Sequence, residues 1–502
     1  MEKFLLDLVN AVNTYLTDYV LIILLVGVGI YFTVRTRFVQ VRCFGEGLKQ
    51  VFKNIKLKGE KRNGGMSSFQ AVATAIAAQV GTGNVVGACG AIFVGGPGAI
   101  LWMWVIAFLG MATNYAEAVV AQKTRVVNED GSIEGGPVYY IKRAFSGRFG
   151  KFLAAFFAVS ATLALGFMGA MVQSNSIASN FANAFSSFAS TPEAAETVAT
   201  VTNIALGVLV AVTAAFILIG GVQRLASVTE KIVPVMAVFY IVGGLFVLCI
   251  NITSLPAAFG MIFKYAFVPN ALIGGAIGAA IKKAVSMGAK RGLFSNEAGM
   301  GSTPHAHALA NVESPHKQGT AAIVAVFIDT FVVLTMTALV VISTLYAGPG
   351  ATLTPEFYAS DAASAYSSAT MAQDAFSRTF AVVFGEAAGT VIGNLFVAIC
   401  LFFFAFSTII GWNYFGKVNF QYLFGKKATL VYTVIAVVFV FLGSLLSNDL
   451  VWALTDFFNY LMVIPNVIAL VVLTKLVTDS SDKKELPEIK DTEIPDEENA
   501  QA

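Results

Sequence analysis

Apolar residues run along most of this chain in continuous stretches of about 20 residues, not in short alternating segments. A helix needs a stretch of that length to cross a bilayer, whereas a membrane β-barrel would alternate over about 10 residues. The pattern therefore predicts a polytopic, all-α membrane protein. We place eleven spans near residues 17–34, 67–93, 97–122, 152–183, 198–220, 231–250, 270–303, 318–346, 380–411, 428–446 and 450–474.

An amphipathic stretch precedes the first span. Its apolar residues fall at helical spacing, namely Phe4, Leu5, Leu8, Val9, Val12 and Leu16. This pattern favours a helix lying in the membrane interface. The start lacks the basic region of a cleavable signal peptide, so we expect the first span to be retained.

Composition excludes several classes of protein. Hydrophobic residues make up 57% of the chain and charged residues only 12%, against about a quarter charged in soluble domains. This rules out a cytosolic enzyme, a disordered protein and a nucleic-acid binder. The four cysteines are far apart with no CxxC pair and are expected to be small buried residues, namely Cys43, Cys89, Cys249 and Cys400.

The distribution of basic residues predicts the orientation. Nine Lys or Arg residues lie in 35–66 and six in 123–151, whereas 184–197 has none. By the positive-inside rule the basic loops are cytoplasmic, so the N-terminus lies outside and the C-terminus inside. Four basic residues do not fit the alternation, namely Lys282, Lys283, Lys290 and Arg291.

Ten of the spans divide into two sets of five. We assign residues 1–66 to an amphipathic segment, one extra helix and a basic loop, and 67–250 to a first repeat. A second repeat covers 251–475, and 476–502 is an acidic tail expected to be disordered. Because five is odd, the second repeat must be inverted. The third helices of the two sets, 152–183 and 380–411, are the longest apolar runs.

Glycine interrupts the first helix of each set. The interruptions are Gly81-Thr-Gly-Asn84 and the segment Gly292 to Gly301. One interpretation is that these glycines only allow close helix packing. The other is that the two helices are broken. Broken helices at matched positions of two repeats mark the binding site of a secondary transporter, and the matched positions favour this interpretation.

Two long motifs resemble those of the alanine/glycine:cation symporter family, also called sodium:alanine symporters. They are Gly95-Gly-Pro-Gly-Ala-Ile-Leu-Trp-Met-Trp-Val-Ile-Ala-Phe-Leu-Gly110 and Arg291-Gly-Leu-Phe-Ser-Asn-Glu-Ala-Gly-Met-Gly-Ser302. The resemblance extends over about residues 20–475. It implies membership of the amino acid–polyamine–cation superfamily, with a leucine-transporter-like five-plus-five inverted repeat plus one N-terminal helix.

The first break is expected to bind the substrate. Free amides at a helix start attract a carboxylate, and buried polar side chains need partners. The candidates are Gln79, Gly81, Thr82, Gly83 and Asn84. Alternatively, the Thr82 and Asn84 side chains only cap the break's own backbone.

The second break and two neighbouring helices supply further substrate candidates. They are Phe294 as a wall, Ser295, Gly299, Gln173 as a hydrogen-bonding group, Phe167, and Trp412 to close the inner side. Gln173 alternatively joins two helices. Glu297 either binds an ammonium group or cation, or caps the following helix.

The superfamily resemblance implies a Na⁺ site. Carried over by position, its ligands are the carbonyls of Ala77, Val80 and Phe404 and the hydroxyls of Ser407 and Thr408. Five neutral oxygens suit a hard monovalent cation. The alternative is that the hydroxyls only bond back to their own helix.

Ionisable residues near the spans need separate accounts. We expect a structural role for Glu117 and leave Asp329 open between proton carrier and helix tie. Asp456 remains unassigned. We expect the three histidines to be solvated on the cytoplasmic flank, namely His305, His307 and His316.

The resemblance implies a Na⁺-coupled symporter for alanine or glycine. H⁺ coupling, or another small substrate on the same fold, remains the alternative. A channel is disfavoured because no filter motif occurs, and an intramembrane enzyme because no catalytic pairing lies within the spans. We expect a prokaryotic inner-membrane location, contact with lipid, no organic cofactor, no nucleic acid and no obligatory protein partner.

Overall fold

The computed structural model describes residues 2–53, 65–129, 131–267, 277–349, 351–353 and 367–482. Within these ranges nine helices are long and apolar enough to cross a membrane. A tenth crossing consists of two helices bent by 47° where the first break is predicted. The described chain is thus a bundle of membrane helices, as its apolar runs predict.

The described residues of the first half form twelve helices. They are α1 Glu2–Tyr15, α2 Ile22–Arg35, α3 Val39–Arg42, α4 Phe44–Lys53, α5 Ser68–Gln79, α6 Ala88–Gly95, α7 Ala99–Thr124, α8 Pro137–Ala144, α9 Gly147–Ala161, α10 Ala170–Ser186, α11 Pro192–Ile219 and α12 Gly221–Ile250. Wider π-helical turns join three pairs of them, at Leu16–Leu21, Gly83–Gly87 and Thr162–Gly169.

In the second half, ten helices lie within the ranges that the structure describes. They are α13 Leu255–Phe267, α14 Ile277–Asn296, α15 Pro304–Ala308, α16 Pro315–Val326, α17 Thr335–Val341, α18 Met371–Phe384, α19 Glu386–Phe424, α20 Thr429–Gly443, α21 Asn448–Val472 and α22 Thr474–Ser481. Further π-helical turns are Phe327–Leu334 and Ile342–Tyr346, and 3₁₀ turns are Ile252–Ser254 and Lys426–Ala428.

Two small sheets lie between the described helices. Strands β1 Met66–Ser67 and β4 Ala310–Asn311 pair in parallel, with Met66 opposite Ala310. Strands β2 Val126–Val127 and β3 Ile133–Glu134 pair antiparallel. The parallel pair places the start of α5 beside the chain that follows α15, so it joins the two halves of the molecule.

The two halves repeat one pattern of elements. The first helix of each is interrupted, between α5 and α6 and between α14 and α15. The longest helices are α9 with α10, which form one 40-residue span, and α19 with 39 residues. Because α10 and α19 pack against each other, they frame the space in which both breaks lie.

Several predicted boundaries were wrong. The amphipathic stretch does not end before the first span, since α1 continues through a π-helical turn into α2 and Lys3–Arg35 is one helix. The span predicted from residue 380 begins at Glu386, because Gly385 with φ of +84° ends α18, and it runs on to Phe424. The predicted tail begins inside α22, and its remaining residues lie beyond the described ranges.

The basic residues that did not fit the charge pattern lie on α14. The Lys290 ammonium is 2.6 Å and the Arg291 guanidinium 3.4 Å from the carboxylate of buried Asp456 on α21. The Arg291 guanidinium also lies over the Trp452 ring, 4.1 Å from its centre. Lys290, Arg291 and Asp456 therefore form one ion-pair cluster, which accounts for these three charged residues together. Lys282 lies about two turns earlier on α14, over the Tyr19 ring.

Candidate substrate and cation site

The first break is shaped by close contact with two other helices. The last helical bond of α5 runs from the Val80 amide to the Ile76 carbonyl, at 2.7 Å. A Cβ at Gly81 would overlap the Thr408 hydroxyl, and one at Gly83 would lie 3.0 Å from the Ser295 Cα. A side chain at position 81 would force Thr408 to move, and one at position 83 would crowd Ser295, so the two glycines allow the break to lie close to α19 and α14.

The Gln173 side chain of α10 reaches into the first break. Its Oε1 accepts hydrogen bonds from the Thr82 amide at 3.0 Å and the Thr82 hydroxyl at 2.6 Å. Its Nε2 is buried and has no hydrogen-bond partner within the described chain. Because buried amide donors are rarely left unpaired, this N–H group is suited to an acceptor supplied by a ligand.

The Gln79 side chain connects the two breaks. It is the last residue of α5, and its Nε2 donates to the carbonyl of Asn296, the last residue of α14, at 2.7 Å. Gln79 Oε1 and Asn296 Nδ2 are both buried, and neither has a partner among the described residues. The two helix ends therefore meet, with two more polar atoms available there.

Asp329 also joins the breaks. Its carboxylate is fully buried and accepts from the Asn84 side-chain amide at 2.6 Å and from the Ser295 hydroxyl at 2.9 Å. The Thr330 hydroxyl donates to it at 2.8 Å. Asn84 and Ser295, both substrate candidates, thus hold this carboxylate in the structure. The helix-tie interpretation of Asp329 agrees with these contacts.

The second break is stabilised by a carboxylate. Glu117 on α7 accepts from the Gly299 amide at 3.1 Å and the Gly301 amide at 2.9 Å. Asn466 on α21 donates to the same carboxylate at 2.7 Å and to the Gly299 carbonyl at 2.9 Å. Glu117 therefore has the predicted structural role, while the contribution of Asn466 was missed.

Glu297 fixes an aromatic wall. Its carboxylate accepts from the Trp412 indole N–H at 2.6 Å and from the Ser302 hydroxyl. The Trp412 ring packs edge-to-face on Phe294, with centroids 5.5 Å apart. Phe294 in turn packs on Trp452 at 4.5 Å. Large rings thus bound the space next to the second break.

The five predicted Na⁺ ligands converge beside the first break. The Thr408 hydroxyl lies 2.9 Å from the Ala77 carbonyl, 3.1 Å from that of Phe404 and 3.5 Å from that of Val80. The Ser407 hydroxyl lies 3.2 Å from the Ala77 carbonyl and 2.8 Å from that of Phe404. This cluster of neutral oxygens around an unwound helix end fits the donor set that holds Na⁺ in transporters.

One more oxygen of this cluster was not predicted. The Ala78 carbonyl lies 3.1 Å from the Thr408 hydroxyl. No side-chain signal marks a backbone carbonyl, so only the geometry of the unwound helix end reveals it.

Comparison with known proteins identifies the family. The model of the sodium:alanine symporter family matches residues 2–491. The chain belongs to this family. Its members are secondary transporters and not enzymes.

Two relatives of this symporter are similar over almost their whole lengths. The sodium/alanine symporter AgcS of Methanococcus maripaludis is 40% identical, over 97% of this chain and 98% of the relative. The probable sodium/glutamine symporter GlnT of Bacillus subtilis is 37% identical, over 95% and 90%. The names of these two relatives therefore refer to different amino acids.

A solved structure supports the fold of the symporter. The crystal structure of MhsT in complex with L-phenylalanine has a TM-score of 0.54 at 14% identity, over 84% of this chain and 96% of that one. At this identity the likeness concerns the fold alone. It confirms the predicted leucine-transporter-like class.

Phe167 does not reach the breaks of the symporter. Its ring stacks on Tyr432 and Phe439 of α20, with centroids 5.6 and 4.8 Å apart. The residue lies in the π-helical turn Thr162–Gly169, which changes the direction in which its side chain points. The structure therefore offers no support for Phe167 as a substrate contact.

The histidines of the symporter are buried, so their predicted solvation was wrong. His305 contacts the Ser302 carbonyl at 2.7 Å and the Asn419 amide at 2.9 Å. His307 contacts Gln318 at 2.8 Å. Amides and carbonyls thus replace water around these rings, which then help to pack the segment after the second break.

Proposed function

We propose that the protein imports a small neutral amino acid, alanine or glycine, together with Na⁺ by alternating access. The observation that carries the proposal is the buried Gln173 Nε2 at the first break, for which the described part of the chain offers no hydrogen-bond partner. This nitrogen belongs to the side chain whose Oε1 accepts from the Thr82 backbone amide. It lies at the same break as the cluster of neutral oxygens around Thr408.

The substrate carboxylate is assigned to the first break. There it accepts hydrogen bonds from the amides of residues 81–84 and from Gln173, replacing neutral amide oxygens that hold two of those N–H groups now. The substrate ammonium group is assigned to carbonyls at the second break. Phe294 and Trp412 limit the volume beside it, which favours a small side chain.

The cation is assigned to the carbonyls of Ala77, Val80 and Phe404 with the hydroxyls of Ser407 and Thr408. Val80 and Gly81 are adjacent, so cation and substrate would bind to consecutive residues of one unwound segment. Ordering that segment for one ligand lowers the cost of binding the other. This supplies the coupling that symport needs.

The membrane orientation follows from charge. The basic loops favour a cytoplasmic C-terminus and an external N-terminus in a prokaryotic inner membrane. No organic cofactor is required for this transport, because ion and substrate gradients drive alternating access.

Two alternatives concern the coupling ion and the substrate. The family includes a relative named as a sodium/glutamine symporter and another named as a sodium/proton-dependent alanine carrier. The experiment therefore includes glutamine as an alternative substrate and H⁺ as an alternative coupling ion.

The test is uptake into liposomes containing the purified protein. We expect radiolabelled alanine to accumulate with an inward Na⁺ gradient, and not with an inward H⁺ gradient in Na⁺-free buffer. Unlabelled alanine and glycine should compete, and glutamine should not. Uptake that is indifferent to Na⁺ would refute the assigned cation, and competition by glutamine alone would refute the assigned substrate.

A further inference from the structure

A second cluster of ligand-type side chains lies away from both breaks, at the end of the bundle that carries the basic segment 35–53. It consists of Cys43, Glu46 and His316. The Cys43 sulfur, a Glu46 carboxylate oxygen and a His316 ring nitrogen all lie within 4.8 Å of one another. Cys43 and His316 are buried, and the Glu46 side chain is 37% exposed.

Two elements bring these side chains together. Cys43 directly precedes α4 and Glu46 lies in its first turn, whereas His316 lies in the first turn of α16. A Cβ at Gly47 would overlap the Thr320 carbonyl of α16. Glycine at this position therefore permits the close approach of α4 to α16 that aligns the three groups.

The His316 ring is already oriented. The Tyr115 hydroxyl contacts its Nδ1 at 2.7 Å, and its Nε2 lies 3.5 Å from the Glu46 carboxylate. When Nδ1 carries the proton and donates to the Tyr115 oxygen, Nε2 presents its lone pair toward Glu46. Metal-binding histidines commonly have their second nitrogen held in this way.

We propose that Cys43, Glu46 and His316 form a Zn²⁺ site. One thiolate, one imidazole and one carboxylate are ligands that zinc accepts at tetrahedral geometry, and a water molecule takes the fourth position. The partial exposure of Glu46 gives that water access to solvent. The bound ion would tie α4 to α16, and this inference does not depend on the transported substrate.

The test uses Co²⁺ as a spectroscopic substitute for Zn²⁺ on the full-length, tag-free protein in detergent. We expect one equivalent of Co²⁺ to give a thiolate charge-transfer band and the visible bands of tetrahedral cobalt, both removed by Zn²⁺. Cys43→Ser should abolish the charge-transfer band. Glu46→Gln and His316→Gln should each weaken binding at least about 10-fold, since each removes a ligand.

Two further variants separate a site from adventitious binding. Tyr115→Phe should keep the thiolate band but weaken binding about 10-fold, because it removes only the group that orients His316. Cys249→Ser removes an exposed thiol elsewhere and should change nothing. Metal-free thermal unfolding of each variant checks its folding, and Cys43→Ala serves if Cys43→Ser is unstable.

The proposal is overturned by either of two results. One is the absence of a thiolate band in the folded wild-type protein at saturating Co²⁺. The other is a band that persists in Cys43→Ser or disappears in Cys249→Ser.

Discussion

The two breaks satisfy their backbone amides in different ways. In the first, the Gly81 and Thr82 amides donate to the neutral side-chain oxygens of Asn84 and Gln173. In the second, the Gly299 and Gly301 amides donate to the carboxylate of Glu117. The second break thus has a resident anion, while the first has weaker acceptors that a substrate carboxylate can replace.

The backbone conformations of the two breaks also indicate that the second break is the more rigid one. Glu297, Gly299 and Gly301 have φ of 57°, 91° and 81°, whereas no residue from 79 to 84, all of them described, has a positive φ. Left-handed conformations persist where surrounding contacts fix them. The second break is therefore a fixed structural element, and the first is better suited to rearrange around ligands.

The largest expected effect comes from removing the resident anion. Glu117→Ala leaves three buried donors unpaired, on Gly299, Gly301 and Asn466. At about 1–3 kcal/mol each, the free energy of unfolding should fall by about 3 kcal/mol or more, and uptake should be lost. Thermal unfolding in detergent measures the first and liposome uptake the second.

Glu196→Ala is the matched control for this change, because Glu196 is exposed on α11. It should leave both measurements unchanged. Normal unfolding and uptake in Glu117→Ala would show that the second break does not need its own anion.

An intermediate effect is expected at Gln173. Gln173→Glu keeps the size of the side chain but places a negative charge where the substrate carboxylate is assigned. The KM for alanine should rise about 10-fold or more, equivalent to about 1.4 kcal/mol of binding. Concentration-dependent uptake measures this.

The control is Asn183→Ala. Asn183 is exposed and lies on the same helix about three turns from Gln173, so this variant should keep the wild-type KM. If Gln173→Glu also keeps the wild-type KM, the substrate carboxylate binds elsewhere. The difference between the two breaks would then not explain where the substrate binds.

The smallest effect separates two neighbouring hydroxyls. The Thr408 hydroxyl lies near all three carbonyls of the proposed cation site and near that of Ala78, whereas the Ser407 hydroxyl lies near two. Thr408→Ala should therefore raise the Na⁺ concentration for half-maximal uptake more than Ser407→Ala does, about 10-fold against a few-fold, since about 1.4 kcal/mol corresponds to a factor of ten.

Thr433→Ala is the control, since that hydroxyl donates to the Thr429 carbonyl of its own helix. Na⁺ dependence is measured for all three variants. Unchanged Na⁺ dependence in both Thr408→Ala and Ser407→Ala would mean that the cation lies elsewhere.

The spans and breaks were predictable because they depend on local features. Apolar runs of membrane length and glycine at matched positions are visible in the sequence itself. The partners of the breaks were not, because they come from distant parts of the chain. Glu117 and Gly299, for example, are separated by 182 positions.

The incorrect and unsupported predictions share a physical cause. Around Phe167 every helical face is apolar, so periodicity does not show which way a ring points, and the π-helical turn rotates it further. The histidines were assigned to water from their position at a span end. Their burial depends on Asn419, Gln318 and Tyr115, which no local pattern connects to them.

The ion-pair cluster on α14 has a consequence for biogenesis. Neither α14 nor α15 is among the described helices that are long and apolar enough to cross a membrane on their own. Lipid disfavours the charges of Lys290 and Arg291 unless they are compensated. Their counter-charge, Asp456, is translated 165 positions after Arg291. We therefore expect α14 to insert stably only after α21, which carries Asp456, has been synthesised.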